Sequence, residues 1–260
     1  MKNIIKEIQE EKIIYDDERN NYFSTALYEA IKLIPENTKN LLDIGCGNGI
    51  GCVVAKKLNK NIEKYHGMDF NSSAEKYALE NVDEYIKCDI ENIEDNVLKP
   101  NFFDVIMFND VLEHLINPKN VIKNILKYLK PDGIIIASIP NVMHQSVLLN
   151  LLINGNWYDQ GVVVEEHIRF FTFNEIINFF SSNNLYLKEN VISIFNEISP
   201  EMIAILKSLK PWIKSDYEKR IIETSTIQYI VVIDTLKKTD EFNILRVPNI
   251  LHKLETKNYY

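Results

Sequence analysis

The 260-residue sequence lacks the features that mark secreted, membrane-spanning and nucleic-acid-binding proteins. Its three cysteines, Cys46, Cys52 and Cys88, are too few for a disulfide framework and lack the spacing of a zinc site. No apolar run approaches the ~20 residues that cross a bilayer. The formal charge of −8 argues against a nucleic-acid partner, which needs a basic surface. We therefore expect a cytoplasmic protein with no nucleic-acid partner and no inserted membrane segment.

From residue 40 onward, short apolar segments alternate with amphipathic helical ones. Several of the apolar segments are apolar on both faces, which is typical of a parallel sheet covered by helices on both sides. The pattern therefore predicts an α/β fold. It contains seven strand candidates, at 40–44, 65–69, 85–89, 103–108, 134–139, 185–193 and 227–236.

Four of the eight glycines lie in one segment between the first strand and the first helix, Asp43-Ile44-Gly45-Cys46-Gly47-Asn48-Gly49-Ile50-Gly51. Glycine there allows a sharp turn and a close approach of the backbone to a ligand. A dinucleotide loop would need glycine or alanine where the chain has Ile50 or Cys52, and a phosphate loop would need Gly-Lys-Ser/Thr. The acidic Asp43 instead favours a ligand that carries hydroxyls and cationic groups and no phosphate.

Polar side chains stand at the ends of the next three predicted strands. These residues are Asp69, Asp89 and Asn109, each 20 residues after the one before. Because the carboxyl ends of parallel strands meet at one edge of a sheet, we expect the three side chains to face one crevice. A carboxylate at the position of Asp69 can accept hydrogen bonds from both hydroxyls of a ribose.

The run Leu41–Gly49, followed by Asp69, Asp89 and Phe103–Ile106, closely resembles the motifs of class I S-adenosylmethionine-dependent methyltransferases. The resemblance covers residues 20–190 and implies a doubly wound, mostly parallel, Rossmann-like sheet of seven strands. It also implies N-terminal helices, an insertion after strand five and S-adenosylmethionine (SAM) as cofactor. We interpret the chain as one domain (1–260) with three parts: an N-terminal helical cover (1–39), a cofactor-binding half (40–140), and an acceptor-binding insertion with C-terminal strands (141–260).

The resemblance assigns cofactor contacts residue by residue. Asp43 and the backbone of the glycine loop hold the methionine part of SAM, and Asp69 holds its ribose. The loop contacts are Gly45, Cys46 and Gly47. The adenine is framed by Phe70, Asp89 and Ile90, with Asp89 near its exocyclic amine. Asn109 lies near the sulfonium and the methyl group.

Two further signatures concern the methyl acceptor. Val111-Leu112-Glu113-His114 resembles small-molecule methyltransferases, including those that act on sugars and quinone precursors. The pair Ser138–Val142 and Glu166–Thr172 resembles a subgroup found in surface-polysaccharide and capsule biosynthesis. This resemblance implies O-methylation of a sugar, a sugar nucleotide or a small molecule that decorates a capsule. The expected acceptor-binding residues are Asn141, Arg169 and Trp157, although Arg169 could instead pair with a neighbouring glutamate.

A hydroxyl acceptor must lose its proton, and histidine is the usual base near neutral pH. His66, inside the second strand, and His252, in the tail, are interpreted as structural. The candidates for the base are His167, His144 and His114, with His167 first because it lies in the second signature. Glu113 and His114 could ligate a metal ion, as in some quinone-type relatives, but two adjacent ligands are too few to predict a metal site.

Two other functions remain open from the sequence. The chain could bind SAM without catalysis, as the regulatory partner of an active homologue. It could also be a nicotinamide-dependent oxidoreductase, which the missing third glycine of the loop disfavours. The oligomeric state and the atom that is methylated are not indicated by any motif.

Overall fold

The computed structural model describes residues 24–158, 161–214, 216–235 and 241–249. Residues 1–23 of the predicted N-terminal cover, and His252, lie outside these ranges. Contacts group the chain into two compact units, the first made of Met1–Asn109 and Lys119–Ala137 and the second of Asp110–Pro118 and Ser138–Tyr260. The three-part division of a single domain stays a prediction.

The first unit is built on strands in the order β3-β2-β1-β4-β5, of which β3, β2, β1 and β4 pair in parallel. They are β1 (Asn40–Ile44), β2 (Lys64–Asp69), β3 (Glu84–Lys87), β4 (Phe103–Asn109) and β5 (Leu129–Pro140), whose last three residues belong to the second unit. The helices are α1 (Thr25–Ile31), α2 (Ile50–Leu58), α3 (Glu75–Asn81) and α4 (Pro118–Ile125). The largely apolar strands β1 and β4 are buried along almost their whole length, as their hydrophobic residues on both faces predict.

The strand register explains why polar side chains gather at one edge of this sheet. Ile44 of β1 pairs with Met68 of β2 and with Phe108 of β4. The residues that follow these three positions are the start of the glycine loop, Asp69 and Asn109. The glycine loop, Asp69 and Asn109 therefore all lie at the carboxyl edge of three adjacent parallel strands.

In the second unit, β8 (Thr226–Asp234) pairs antiparallel with β6 (Tyr186–Leu187) and with β7 (Asn190–Phe195), and β7 pairs in parallel with β9 (Asn243–Pro248). The helices are α5 (Gln145–Leu149), continued by a π-helical turn (Asn150–Asn154), α6 (Phe173–Ser181), α7 (Pro200–Leu209) and α8 (Tyr217–Ser225). Thr172 begins α6 with a capping box in which Glu175 is the partner. None of the described helices is long and apolar enough to cross a membrane.

The described residues contain nine strands, so the predicted number of seven is wrong. The predicted strand at 185–193 is two strands, because its pairing with β8 shifts by two residues between Leu187↔Ile233 and Ile192↔Ile230. The other additional strand is β9, which ends the strand order. Its sequence, Asn-Ile-Leu-Arg-Val-Pro, is half polar, since an edge strand does not need two apolar faces.

Candidate cofactor and acceptor sites

The loop between β1 and α2 is shaped by three glycines in the left-handed region. Gly45, Gly47 and Gly49 have φ angles of 72°, 54° and 76°, which side-chain-bearing residues rarely adopt. The amides of Gly45 and Cys46 both donate to the carbonyl of Met68, at 2.8 and 3.1 Å, which ties the loop to the end of β2. The loop is thus a fixed turn whose backbone lies at the edge of the sheet.

Asp69 lies at the end of β2, and its carboxylate accepts hydrogen bonds from two backbone amides. Its Oδ2 accepts from the amide of Gly47 and its Oδ1 from the amide of Asn71, each at 2.8 Å. An ionised carboxylate has about four acceptor positions, so two of them remain for a ligand. The side chain is therefore both part of the loop's support and available to bind hydroxyls.

Asp43 is a buried carboxylate, only 3% exposed, at the end of β1. Its Oδ2 accepts from the hydroxyl of Tyr65 at 2.7 Å, while its Oδ1 has no hydrogen-bond partner among the described residues. Burial, reinforced by the charge of Asp69, raises the pKa of Asp43 to about 7, although the Tyr65 and Asn109 side chains oppose the shift. The site therefore holds an acid that is destabilised in its ionised form unless a cation approaches it.

Asn109 ends β4, and both polar atoms of its amide are buried without a hydrogen bond of ordinary geometry to the described residues. A buried amide in this state loses the hydration it had in water, which costs about 1–3 kcal/mol for each unpaired group. The amide lies near enough to Asp43 to favour the ionised carboxylate, and a bound ligand could complete the hydrogen bonding of both groups.

The residues predicted to frame an adenine differ in their surroundings. The ring of Phe70 is 72% exposed, whereas Ile90 is buried. Asp89 is exposed and begins a short 3-10 helix (Ile90–Asn92), where its two carboxylate oxygens accept from the amide of Glu91 and from the side chain of Asn92. The structure thus gives Asp89 a capping function, and its contact with an adenine stays a prediction.

Gly51, in the first turn of α2, is needed for the packing around Asp43. A Cβ there would lie 2.9 Å from the hydroxyl of Tyr65 and 3.2 Å from Asp43 Oδ2. We expect Gly51→Ala to lower the free energy of unfolding by about 1–3 kcal/mol despite the helix preference of alanine, because neither buried neighbour can move freely. Urea denaturation checks this. Gly161→Ala is the control, since its Cβ would find no atom closer than 4.0 Å, and an equal loss there would contradict the explanation.

In the second unit, Glu113, His114 and His167 form one cluster. A carboxylate oxygen of Glu113 and one ring nitrogen of each histidine lie within 4.8 Å of one another. Glu113 is 1% exposed, and neither of its carboxylate oxygens has a hydrogen-bond partner among the described residues. The two imidazoles pack edge to face with centroids 4.7 Å apart, and His167 Nε2 lies 4.0 Å from Glu113 Oε1. Two of the three predicted base candidates are therefore neighbours.

The backbone of this cluster is cross-linked. The amides of Ile168 and Arg169 both donate to the carbonyl of Glu113, at 3.0 and 2.9 Å. The guanidinium of Arg169 donates to the carbonyls of Leu115 and Ile116. Arg169, predicted to bind the acceptor, thus holds the turn after His114 in place, and an acceptor contact by it stays a prediction.

Asp110, the residue after Asn109, lies beside the cluster in the second unit. It adopts a φ of 53°, uncommon for an aspartate, and its Oδ1 accepts from Ser138 Oγ and from the side chain of Gln228. Burial raises the pKa of Asp110 to about 6, and burial together with the charge of Asp110 raises the pKa of Glu113 well above its usual range. Two carboxyls held this close resist simultaneous ionisation.

Two of the predicted site residues, Asn141 and His144, make hydrogen bonds within the protein. Asn141 is fully buried, and its Nδ2 donates to the carbonyls of Glu223 and Thr226 while its Oδ1 accepts from the amide of Met143. His144 is buried and caps α5 by accepting from the amide of Ser146. The contacts give both residues structural functions, and neither is included in the acceptor site below.

Trp157 is partly exposed and packs edge to face on Phe170, with ring centroids 5.2 Å apart. Phe170 in turn lies against a buried apolar cluster of Val147, Val162 and Val163. The indole is thus supported by an aromatic neighbour and also accessible to solvent, so a flat or apolar ligand could contact it.

Sequence reasoning missed Tyr65 and Asp110, and it did not group Glu113 with His167. Tyr65 reads as an ordinary apolar strand residue, and only the register of β2 against β1 brings its hydroxyl to Asp43. Glu113 and His167 are 54 residues apart, and their contact depends on the hydrogen bonds of the 166–169 segment. The one signal in the sequence was that both lie in the quoted acceptor signatures.

Comparison with known proteins agrees with this architecture. Residues 15–190 match the family described as methyltransferase domain. A 116-residue segment is 30% identical to the ubiquinone biosynthesis O-methyltransferase of Rickettsia canadensis, covering 44% of this chain and 48% of that protein, so the chain spans about half the length of this relative.

Two solved structures share the fold. One is a SAM-dependent methyltransferase from Archaeoglobus fulgidus, with a TM-score of 0.58, 18% identity and coverage of 87% of this chain and 98% of the other. The second is the plantazolicin methyltransferase BpumL in complex with SAH, with a TM-score of 0.52, 16% identity and coverage of 92% and 99%. They confirm the predicted α/β, Rossmann-like fold with a mostly parallel sheet.

Proposed function

The chain belongs to the class I SAM-dependent methyltransferases, and from this premise we propose that it transfers the methyl group to a hydroxyl oxygen of a small-molecule acceptor. The family makes the protein an enzyme and SAM its cofactor. Membership of this family therefore argues against the two alternative functions, a SAM-binding partner without catalysis and a nicotinamide-dependent oxidoreductase. The acceptor and the residues that serve each substrate are the proposal.

The first unit is proposed to hold the cofactor. SAM carries a sulfonium, an ammonium and a ribose diol, and the carboxyl edge of β1, β2 and β4 carries groups that suit each of them. The observation that supports this best is the buried Asp43, whose Oδ1 lacks a partner among the described residues and whose ionised form needs a nearby cation. The two remaining acceptor positions of Asp69 suit the ribose hydroxyls.

Cofactor affinity should depend on pH through Asp43. The pKa of its carboxyl is about 7 before the cofactor binds, and a cationic ligand favours the ionised form, so binding drives off the proton. Affinity should therefore weaken by up to ~10-fold for each pH unit below 7. Calorimetry at several pH values measures this, and an affinity that is flat from pH 5.5 to 8 would contradict it.

Asp43→Asn is the matched variant for this prediction. It should bind SAM weakly at every pH, because the carboxylate charge is gone.

The folded-state pKa of Asp43 exceeds its ordinary value of 3.8, so stability that is present below pH 4 is lost as the pH rises through 7. The cofactor-free Asn variant should consequently be more stable than the parent protein at pH 8, by up to about 4 kcal/mol.

The acceptor is proposed to bind to the second unit, with its hydroxyl served by the cluster of Glu113, His114 and His167. Transfer is an in-line displacement in which the hydroxyl oxygen forms a bond to the methyl carbon. When bound, SAM supplies this methyl on a positively charged sulfur, which leaves as a neutral thioether. The cluster takes the hydroxyl proton, and Trp157 on Phe170 offers a surface for the rest of the acceptor.

Two acceptor classes are separated by experiment. The signatures at 138–142 and 166–172 favour a sugar, sugar nucleotide or capsule decoration, whereas the relative's name refers to O-methylation in ubiquinone biosynthesis. Purified protein and SAM would be incubated with a panel of sugar nucleotides and a panel of hydroxylated quinone precursors. Mass spectrometry should find one added methyl on an oxygen in one panel. A methyl found only on nitrogen or carbon would contradict the O-methyltransferase proposal.

A further inference from the structure

The hydroxyl of Tyr65 makes a buried hydrogen bond that packing alone does not require. Tyr65 is fully buried in β2, where it pairs with Leu41 of β1. Its hydroxyl donates to Asp43 Oδ2 at 2.7 Å, two residues further along β1. A residue that only fills the core needs no hydroxyl at this position, because phenylalanine supplies the same ring. The hydroxyl is therefore to be explained by what it does for Asp43.

The hydrogen bond decides which oxygen of Asp43 can meet a ligand. Because the Tyr65 hydroxyl is bonded to Oδ2, Oδ1 is the oxygen that lacks a partner among the described residues. The bonded pair also packs against the first turn of α2, since a Cβ on Gly51 would lie 2.9 Å from the Tyr65 hydroxyl and 3.2 Å from Asp43 Oδ2. This close packing holds the carboxylate in one orientation before any ligand arrives.

The hydrogen bond also favours the ionised form of Asp43. Burial raises the pKa of this carboxyl, the donated hydrogen bond of Tyr65 lowers it, and the charge of Asp69 raises it further. Among the described residues, the charge of Asp43 also reaches the thiols of Cys46 and Cys52, but burial raises the pKa of both, so they stay neutral near pH 7. Burial and the charge of Asp43 likewise raise the pKa of Tyr65 well above its usual value of 10. Tyr65 is therefore a constant donor over the neutral pH range.

We propose that Tyr65 is a positioning residue for the cofactor, which orients Asp43 Oδ1 toward SAM and holds the carboxylate in its ionised form. The inference rests on the proposed function, in which Asp43 serves the cationic methionine part of SAM. Tyr65 is fully buried and its hydroxyl is bonded to Oδ2, so its effect on the cofactor passes through the carboxylate. The effect should therefore vanish when the carboxylate is removed.

The test is SAM binding by Tyr65→Phe, which keeps the ring and removes only the hydroxyl. Loss of a donor to a carboxylate raises the pKa of Asp43, so a higher pH is needed to ionise it. Calorimetry between about pH 6 and 9 should show an affinity about 10-fold weaker at pH 7, with the midpoint of its pH dependence about one unit higher. Carbon-13 NMR of the aspartate carboxyls should show the same upward shift without SAM. A residue with a purely structural function would alter stability and leave both midpoints in place.

Two further comparisons identify the cause. Tyr128→Phe removes another buried tyrosine hydroxyl of the same unit, one that is not bonded to Asp43, so affinity and midpoint should match those of the parent protein. In an Asp43→Asn background, Tyr65→Phe should change SAM affinity by less than about twofold, because the charge it supports is already absent.

A folded Tyr65→Phe variant with the parent affinity and an unshifted midpoint overturns the inference. A full loss of affinity in the Asp43→Asn background also overturns it, because the hydroxyl would then act by another route. Should Tyr65→Phe fail to fold, a fluorotyrosine placed at position 65 donates more strongly and should lower the midpoint, and an unchanged midpoint would refute the inference. No SAM binding by the parent protein would refute the proposed function as well, whereas parent binding that Tyr65→Phe leaves intact refutes this inference alone.

Discussion

Replacing Asp69 by alanine should weaken SAM binding by about 100-fold or more. Two hydrogen bonds between a carboxylate and the ribose hydroxyls are lost, each worth about 1.5–3 kcal/mol when one partner is charged. The change also removes the acceptor for the Gly47 amide, so the loop between β1 and α2 loses one of its supports. Calorimetric titration with SAM measures the effect directly.

Two further variants identify the cause. Asp69→Asn keeps an oxygen for Gly47 N but removes the charge, so its affinity should lie between those of the alanine variant and the parent protein. Asp132→Ala, an exposed carboxylate of the same unit, should bind SAM normally. An Asp69→Ala variant that folds and binds SAM with unchanged affinity would remove the carboxyl edge of the sheet as the cofactor site.

Replacing His167 by alanine should lower turnover by roughly 100-fold or more while leaving SAM affinity within about twofold. The imidazole belongs to the cluster that we propose takes the acceptor proton, and losing such a group typically costs 10²–10⁴-fold in rate. The cofactor contacts assigned to Asp43 and Asp69 lie in the first unit, so they are not altered directly. Steady-state kinetics with an identified acceptor, alongside SAM titration, separates the two effects.

The matched control for this prediction is Glu165→Ala, which removes a charged side chain two residues away without touching the cluster. His167→Gln reports whether the hydrogen bond to the Val162 carbonyl matters by itself, because the glutamine amide can also donate to a carbonyl. Equal turnover in the parent protein and in folded His167→Ala would exclude this histidine from catalysis.

The strands and the glycine loop of the first unit were predictable because local sequence determines them. Segments with apolar residues on both faces predict buried strands, and Gly45, Gly47 and Gly49 do adopt the left-handed backbone that favours glycine. The half-polar β9 was not predictable in this way, since an edge strand has weak patterning and owes its existence to its pairing with β7.

The polar residues of the second unit were harder to interpret. Asn141 and His144 lie in or beside a signature and were natural acceptor candidates. However, the Asn141 side chain donates to the carbonyls of Glu223 and Thr226, and His144 caps α5 by accepting from the amide of Ser146. The sequence shows which side chains could bind an acceptor, but it does not show that the carbonyls bonded to Asn141 come from a distant segment of the chain. The grouping of Glu113 with His167 was not predicted for the same reason, since it depends on contacts between segments that are distant in the sequence.

The chain passes between the two units three times, after Asn109, Pro118 and Ala137. Neither unit can therefore be excised as one continuous fragment, and a graft that exchanged only the second unit would need three junctions. Recombination with a single crossover in the gene cannot exchange the second unit cleanly. If the acceptor binds to the second unit as proposed, a change of acceptor is more accessible through point substitutions in the 110–118 and 138–171 segments than through the exchange of a whole unit.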